Sequence, residues 1–471
     1  MFKVPLGKMT AYTFIQKNAW WLVSIVYTVI IVSCCNIPVF WDMYGQVKLA
    51  HYYLETNFKH LLPNGNGFTD NGHFPLYSLY LAVLFKLFGF KLWLAHVSII
   101  PFVMGLLYQL QMLCKRFLSD EKTLWVLLLT LIHPALVAQS IYFSSEIGFV
   151  FFALWMMNTI KDVRASRMVL SSSLLCLLNL RALPLVIIVL LYFVFVKKQK
   201  TAWYLSFSII VTVAWMCIHF YVSAWFFTNP ENLRHRTVLG FAGMMKNLLG
   251  CSIRLLDFGN IIALIFIALF CSKQKKIEEP FMFLLLISVS VIAFCIPLSN
   301  PISNRYFLLV YILALPAFMY SISSLSKQKM AAAFFVFALF LVQSNWLIKP
   351  GKYSNAWDCN LQSLNYFGVR KELDNYVSEN NISPNDVAAG FQVYFNDAFY
   401  LMNGSNKEYD LLSDTEMNVN LYIADSNICN NYNAQRKDYL EKNYFLIKSF
   451  VKGSIYIKLY KRNDLFMAII K

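Results

Sequence analysis

The sequence predicts an all-α polytopic membrane bundle of about 11 transmembrane helices, plus interfacial helices, with a small C-terminal extracytoplasmic α/β domain. Three observations predict it. Of 471 residues, 58% are hydrophobic and 14% charged, far less charge than the roughly 25% of soluble domains. Apolar stretches recur near ~20 residues, the length that crosses a hydrocarbon core as a helix; 20–40, 92–113, 201–226, 280–298, 307–325 and 330–348 are examples. Lys and Arg gather in short loops between the runs, as the positive-inside rule describes. The formal charge of +16 therefore reads as topology, and no nucleic-acid partner is expected.

The order of elements follows from those loops. Lys3, Lys8 and Lys17 precede the first run without a small-residue cleavage site, which reads as a signal anchor with a cytoplasmic N-terminus. Basic clusters at 115–122 (KRFLSDEK), 161–167 (KDVRASR), 197–200 (KKQK), 273–276 (KQKK) and 327–329 (KQK) are assigned to the cytoplasm. Span 20–38 then leaves loop 39–74 outside. Segment 76–89 is too short for a full span and is expected as an interfacial, re-entrant or broken helix before span 92–113. Runs 123–145 and 147–160 form a hairpin with Glu146 at its outer tip, and 168–196 a second one with Arg181 near its tip. Spans 201–226 and 258–271 flank outer loop 227–257. Spans 280–298 and 307–325 flank SNPISNRY, and span 330–348 delivers the chain outside.

These assignments make 1–349 a transmembrane part that includes outer loop 39–74, and 350–471 a soluble outer domain. There Asn, Asp and Tyr become common, and short runs such as VAAGFQVYF, VNLYIADS and FLIKSFVKGSIYIKLY suit strands. SLNYFGVRKELDNYVSENN carries apolar residues at helical spacing. The chain has ten cysteines. All but Cys359 and Cys429 lie in or beside apolar runs and read as small buried hydrophobes. Cys359 and Cys429 are candidates for pairing in an oxidising compartment. No Cys/His spacing resembles a zinc site.

Chemistry is sought among charges that lipid would not tolerate unpaired. Asp42 follows IPVFW at the outer mouth of the first span, and Glu146 lies inside QSIYFSSEIGFVFFALW. Each must face a cavity or a partner; Glu146 pairing with Arg181 to hold the bundle is one reading, a shared pocket with Asp42 another. VKLAHYYLETNFKHLL has the spacing of a helix lying in the interface. His73, Arg234, His235, Arg236, Lys246, Arg254 and Arg305 supply positive charge outside, suited to phosphate or to snorkelling at the interface.

One block is specific. GHFPLYSLYLAVLFKLFG (72–89) resembles the signature that opens an early helix in membrane glycosyltransferases of the C-type fold, in the branch of protein O-mannosyltransferases and lipid A aminoarabinose transferases. His73, Pro75, Leu76, Tyr77, Lys86, Leu87, Phe88 and Gly89 match; Phe74 stands where the family usually has a proline. Asp42 sits where the family's first-loop acid follows the first span. HPALVAQSIYFSSEIGFVFFALW resembles the family's next run, with Glu146 for the usual Asp. SNPISNRYFLLVYILALP resembles its late stretch through Arg305, Tyr306 and Pro316.

The resemblance implies a membrane transferase that moves a sugar from a polyprenyl-phosphate donor to an acceptor hydroxyl at the outer face, with inversion. Asp42 is the expected general base. His73, Arg305 and Arg254 are expected to stabilise the leaving phosphate, and Tyr306 or Tyr77 to hydrogen-bond it. Glu146 is expected to orient the acceptor or hold a basic partner. The acceptor, whether lipid, glycan or protein, is not legible. A divalent metal is left open, and no ligand set stands out. The alternatives are a transporter or flippase of lipid-linked saccharides and a degenerate member acting as a scaffold.

Overall fold

The computed structural model describes residues 16–63, 74–162, 164–226, 237–274, 277–299, 302–345, 358–412, 421–428 and 434–463. The helices are α1 (Ala19–Ser33), α2 (Met43–Glu55), α3 (Pro75–Phe88), α4 (Leu92–Val97), α5 (Ile100–Cys114), α6 (Asp120–Ile132), α7 (Pro134–Ile141) and α8 (Ser145–Asp162). They continue with α9 (Ala165–Leu178), α10 (Ala182–Phe195), α11 (Gln199–Ser223), α12 (Phe241–Leu256), α13 (Asn260–Cys271), α14 (Glu279–Cys295), α15 (Leu308–Ile322) and α16 (Lys327–Ser344).

Local chemistry sets many of these boundaries. Proline opens α3, α7 and α14 near N1, where its missing N–H has no helical partner to lose. Phe74 is extended, with φ −68° and ψ 147°, and Gly89 ends α3 at φ +88°, a conformation that favours glycine. Ser119 caps α6 through Lys122 N, with Asp120 and Glu121 in the first turn, where negative charge suits the helix dipole. The kink between α6 and α7 is 60° and falls at Pro134. A sharper one of 90° separates α12 from α13; Gly259 turns there at φ +74°, and a Cβ on it would stand 2.7 Å from Phe340 Cβ.

By length and composition, Leu92–Cys114, Gln199–Ser223 and Asn304–Ile322 can each cross a membrane, and the described residues reach five such spans if each bent pair counts as one. The other apolar helices are shorter. The centre of the bundle is α15, buried at every position except Tyr320, as a helix apolar all round must be. Helices α13, α14, α6 and α8 pack around it, and α8 is backed by α5 and α9. Within 237–257 the described residues form α12, with Phe241, Met245 and Leu249 exposed on one face and Cys251 and Arg254 buried on the other. That pattern suits a helix lying in the interface.

The C-terminal part carries α17 (Asn365–Glu379) and α19 (Ala434–Asn443) against a five-stranded sheet, and the short α18 (Asp397–Tyr400). Its strands are β1 (Val387–Ala389), β2 (Asp410–Leu411), β3 (Tyr422–Ser426), β4 (Tyr444–Lys452) and β5 (Ile455–Arg462), in order β2-β1-β3-β5-β4. β2, β1 and β3 run parallel, and the β4–β5 hairpin pairs antiparallel to β3. The expected boundary at 349/350 lies outside the described residues.

This part sits on the segment between α1 and α3 through built contacts. Val39 N donates to Tyr400 O at 2.9 Å, and Trp41 N to the Gln392 side chain at 2.7 Å. The Tyr44 ring stacks on Phe395 at 3.9 Å between centroids, and Tyr44 Oη accepts from Asn396 N at 3.1 Å. Stacking plus hydrogen bonding at one aromatic fixes orientation as well as burial. α2 is thereby held between α3 and α18, and Asp42, at its N-terminus, is fixed relative to both parts.

Candidate active site

A cavity of about 500 Å³ lies at this junction, within the size range of small-ligand sites. Asp42 and Met43 enter it from the start of α2, Glu146 from the first turn of α8, Arg181 from the start of α10, and Arg305 and Tyr306 from the 3-10 turn Asn304–Phe307 that leads into α15. Asp358 enters from the C-terminal part. Another wall is greasy: Leu183 and Pro184 of α10, Ala293 and Phe294 of α14, and Val238 facing Leu298 across an isolated β-bridge.

The charges are organised as two clusters. Arg305 Nη2 stands 2.6 Å from Asp42 Oδ2, and Arg305 Nη1 stands 3.3 Å from Asp358 Oδ2. Arg181 forms an ion pair with Glu146, and Asn179 Oδ1 accepts from its Nε at 3.3 Å. Tyr306 links the clusters: the Arg181 guanidinium lies 4.4 Å from its ring centroid and that of Arg305 5.3 Å, within cation–π range. Two cations therefore flank one ring at the edge of a hollow.

Asp42 and Asp358 differ in surroundings. The Asp42 side chain is 42% exposed and that of Asp358 is 1% exposed. Burial raises the Asp358 carboxyl above the usual aspartate range, against the opposing pull of Arg305 and hydrogen bonds from Cys359 and Ser303. Ser303 Oγ donates to both its oxygens at 3.1 and 3.2 Å, and Cys359 Sγ to Oδ1 at 3.3 Å. Gln139 Nε2 holds the Asp358 backbone carbonyl at 2.6 Å.

The backbone is strained beside both membrane-side acids. Trp41, immediately before Asp42, has φ +51°, and Phe143, three residues before Glu146, has φ +42°. Bulky residues in the left-handed region cost about 1–3 kcal/mol each and persist only where surroundings impose them. For Trp41 the Gln392 bond does so; for Phe143 it is Tyr77, whose hydroxyl donates to Phe143 O at 2.5 Å.

The structure thus brings together Asp42, Glu146, Arg305 and Tyr306 of the residues expected from sequence. It does not bring Tyr77 or Arg254 to the cavity. Tyr77 is fully buried, with its hydroxyl committed to Phe143 O. Arg254 is buried on α12, and its Nε donates to Ile302 O, so it supports the turn that carries Arg305. His73, Arg234, His235 and Arg236 lie outside the described residues, though Phe74 lines the cavity. Cys359 is buried beside Asp358, and Cys429 too lies outside the described residues. Of the two readings of Glu146, the structure holds both: it pairs with Arg181 and lines the same cavity as Asp42.

Asp358 went unread because WDC in a polar, Asn-rich stretch carries no periodicity and no charge in lipid to demand a partner. Gln139, inside the second family-like block, had no distinguishing signal either. Among the described residues, no group of three or more His, Cys, Asp or Glu side chains is arranged to hold a metal ion.

No family model and no curated protein matches the chain by sequence. Solved structures do match by fold. ArnT from Cupriavidus metallidurans, determined bound to undecaprenyl phosphate, superposes over 94% of this chain and 98% of its own, at TM-score 0.56 and 10% identity. The same protein in the apo state gives TM-score 0.53 at 11% identity with the same coverage. ArnT is a lipid A aminoarabinose transferase, of the group that residues 72–89 resemble. The chain has the C-type fold of membrane glycosyltransferases.

Proposed function

We propose that this protein is a membrane glycosyltransferase that moves a sugar from a polyprenyl-phosphate donor to an acceptor hydroxyl at the extracytoplasmic face. The observation that carries the reading is the meeting of Asp42 and Arg305 in one cavity whose far wall is apolar. A carboxylate, a cationic cradle and a greasy opening are what a lipid-borne phosphosugar requires. The fold supports it as well, since a neighbour with this architecture was solved with undecaprenyl phosphate bound.

In this mechanism the acceptor oxygen attacks the anomeric carbon and its proton passes to a carboxylate oxygen of Asp42. The bond from the anomeric carbon to the phosphate oxygen breaks, which inverts the configuration. The electron pair leaves on the polyprenyl phosphate, where Arg305 stabilises the added charge, with Arg181 across the Tyr306 ring as second donor. Fixed cations aimed at developing charge are commonly the largest catalytic contribution, and a positioned base adds about 10²–10⁴-fold. Glu146 orients Arg181, and Tyr306 spaces the two guanidiniums.

The membrane arrangement of the proposal is about 11 crossings in the cell membrane, with the N-terminus cytoplasmic and the cavity and C-terminal part outside. A sugar donor there cannot be a cytoplasmic nucleotide sugar, which is the chemical reason for a lipid carrier.

The test is a transfer assay in proteoliposomes, offering undecaprenyl-phosphate pentoses and hexoses with lipid, glycan and peptide acceptors. Appearance of glycosylated acceptor with stoichiometric undecaprenyl phosphate is expected. Movement of the intact donor across the bilayer with no transfer overturns the reading and leaves a flippase.

A further inference from the structure

Asp358 and Asp42 hold opposite edges of a single guanidinium, and they hold it differently. Asp358 is fixed: it is buried, and Ser303 and Cys359 donate to it besides Arg305. A carboxylate in such a place is costly without a cation, so Arg305 Nη1 is bound to stay. Asp42 is partly solvated and meets only the other edge, Nη2, at 2.6 Å. With Nη1 held by Asp358, Nη2 is the edge left to offer a phosphate oxygen, and guanidinium forks bind such oxygens side-on. While Asp42 Oδ2 is engaged by Nη2, that oxygen is not free to meet an acceptor hydroxyl. Asp42 and the donor therefore compete for Nη2.

We infer that Asp358 is a positioning residue that retains Arg305 while the donor phosphate displaces Asp42 from Nη2, so that Asp42 is released to accept a proton only once the donor is bound. The inference rests on the proposed transferase reading and adds an order to it: donor first, base second. It also gives the C-terminal part a role at the reacting centre, since Asp358 belongs to that part and Gln139 ties its backbone to the membrane bundle. Without Asp358, both edges of Arg305 turn to Asp42 and the cradle closes.

The experiment is binding of undecaprenyl phosphate to the purified full chain in detergent, for wild type, Asp358→Asn, Asp42→Asn and the double variant. Asp358→Asn is expected to weaken binding about tenfold, as loss of a charge-assisted contact would. Asp42→Asn is expected to tighten it severalfold by removing the competitor. In the double variant the penalty of Asp358→Asn is expected to shrink below about threefold; a purely structural role would leave it whole and overturn the inference. Unchanged binding in Asp358→Asn also overturns it, with the transferase reading intact. No binding by wild type sinks the transferase reading itself. If Asp358→Asn does not fold, Ser303→Ala removes one donor that fixes Asp358. A weakening of about threefold is then expected, and unchanged binding overturns the inference.

Discussion

Arg305 Nη2 and Asp42 Oδ2 are 2.6 Å apart, although 263 residues separate them in sequence. One follows the C-terminal end of the first apolar helix, the other lies in the turn into the buried α15. The Asp42 side chain keeps 42% of its surface exposed, so it can withdraw into solvent and a phosphate can take its place. The relationship is thus suited to exchange more than to stability.

Arg305→Lys tests the cradle. A lysine keeps the charge but offers a point in place of a planar fork. It cannot meet Asp358 and a phosphate together with two parallel donors. The donor KM is expected to rise about tenfold while the chain folds normally; an unchanged KM in steady-state transfer kinetics would remove Arg305 from donor recognition.

Glu146 and Arg181 form a buried pair, so breaking it from one side leaves a charge without a partner. Glu146→Gln and Arg181→Gln are each expected to cost about 3–5 kcal/mol, with the double variant costing less than the sum. Thermal or denaturant unfolding of the four proteins gives the coupling. Additive losses would show that the two side chains act independently.

Tyr77→Phe separates support from catalysis. It removes the donor to Phe143 O and is expected to destabilise the chain by about 1–2 kcal/mol. Donor KM should stay within twofold or so of wild type. A larger rise in KM would return Tyr77 to the phosphate site.

Asp358 makes stability depend on pH with a defined sign. Its carboxyl is raised in the folded chain by burial. Above the unfolded value, and up to the raised folded value, the folded chain therefore holds more protons than the unfolded one. Stability falls as pH rises through that window and is not regained above it. Asp397, also raised by burial, contributes equally to wild type and Asp358→Asn and cancels in their difference. The unfolding midpoint of wild type relative to Asp358→Asn should fall as pH climbs from about 4 toward neutrality; a rise would reverse the sign.

The fold was legible where physics acts along the chain. Apolar runs became α1, α11, α14, α15 and α16, and the polar helix pattern of 363–381 became α17. The alternating runs became β3 and the β4–β5 hairpin. Glu146 and Arg181 were legible as a pair because lone charges among apolar neighbours demand partners. What stayed hidden depends on tertiary packing. Tyr77 matched a family-like block, yet its hydroxyl serves a strained carbonyl at Phe143. Arg254 looked like an outer cation and is instead a strut under Ile302. Asp358 could not be placed, because a carboxylate in a polar stretch is ordinary until folding buries it against Arg305.

The most direct measurement is single-turnover release of undecaprenyl phosphate by purified wild type and Asp42→Asn, with donor binding measured in parallel. The expected result is loss of about 10²–10⁴-fold in rate for Asp42→Asn, with donor binding retained or tightened. Full turnover in Asp42→Asn would contradict the assignment of Asp42 as base and, with it, the reading of this cavity as the transfer site.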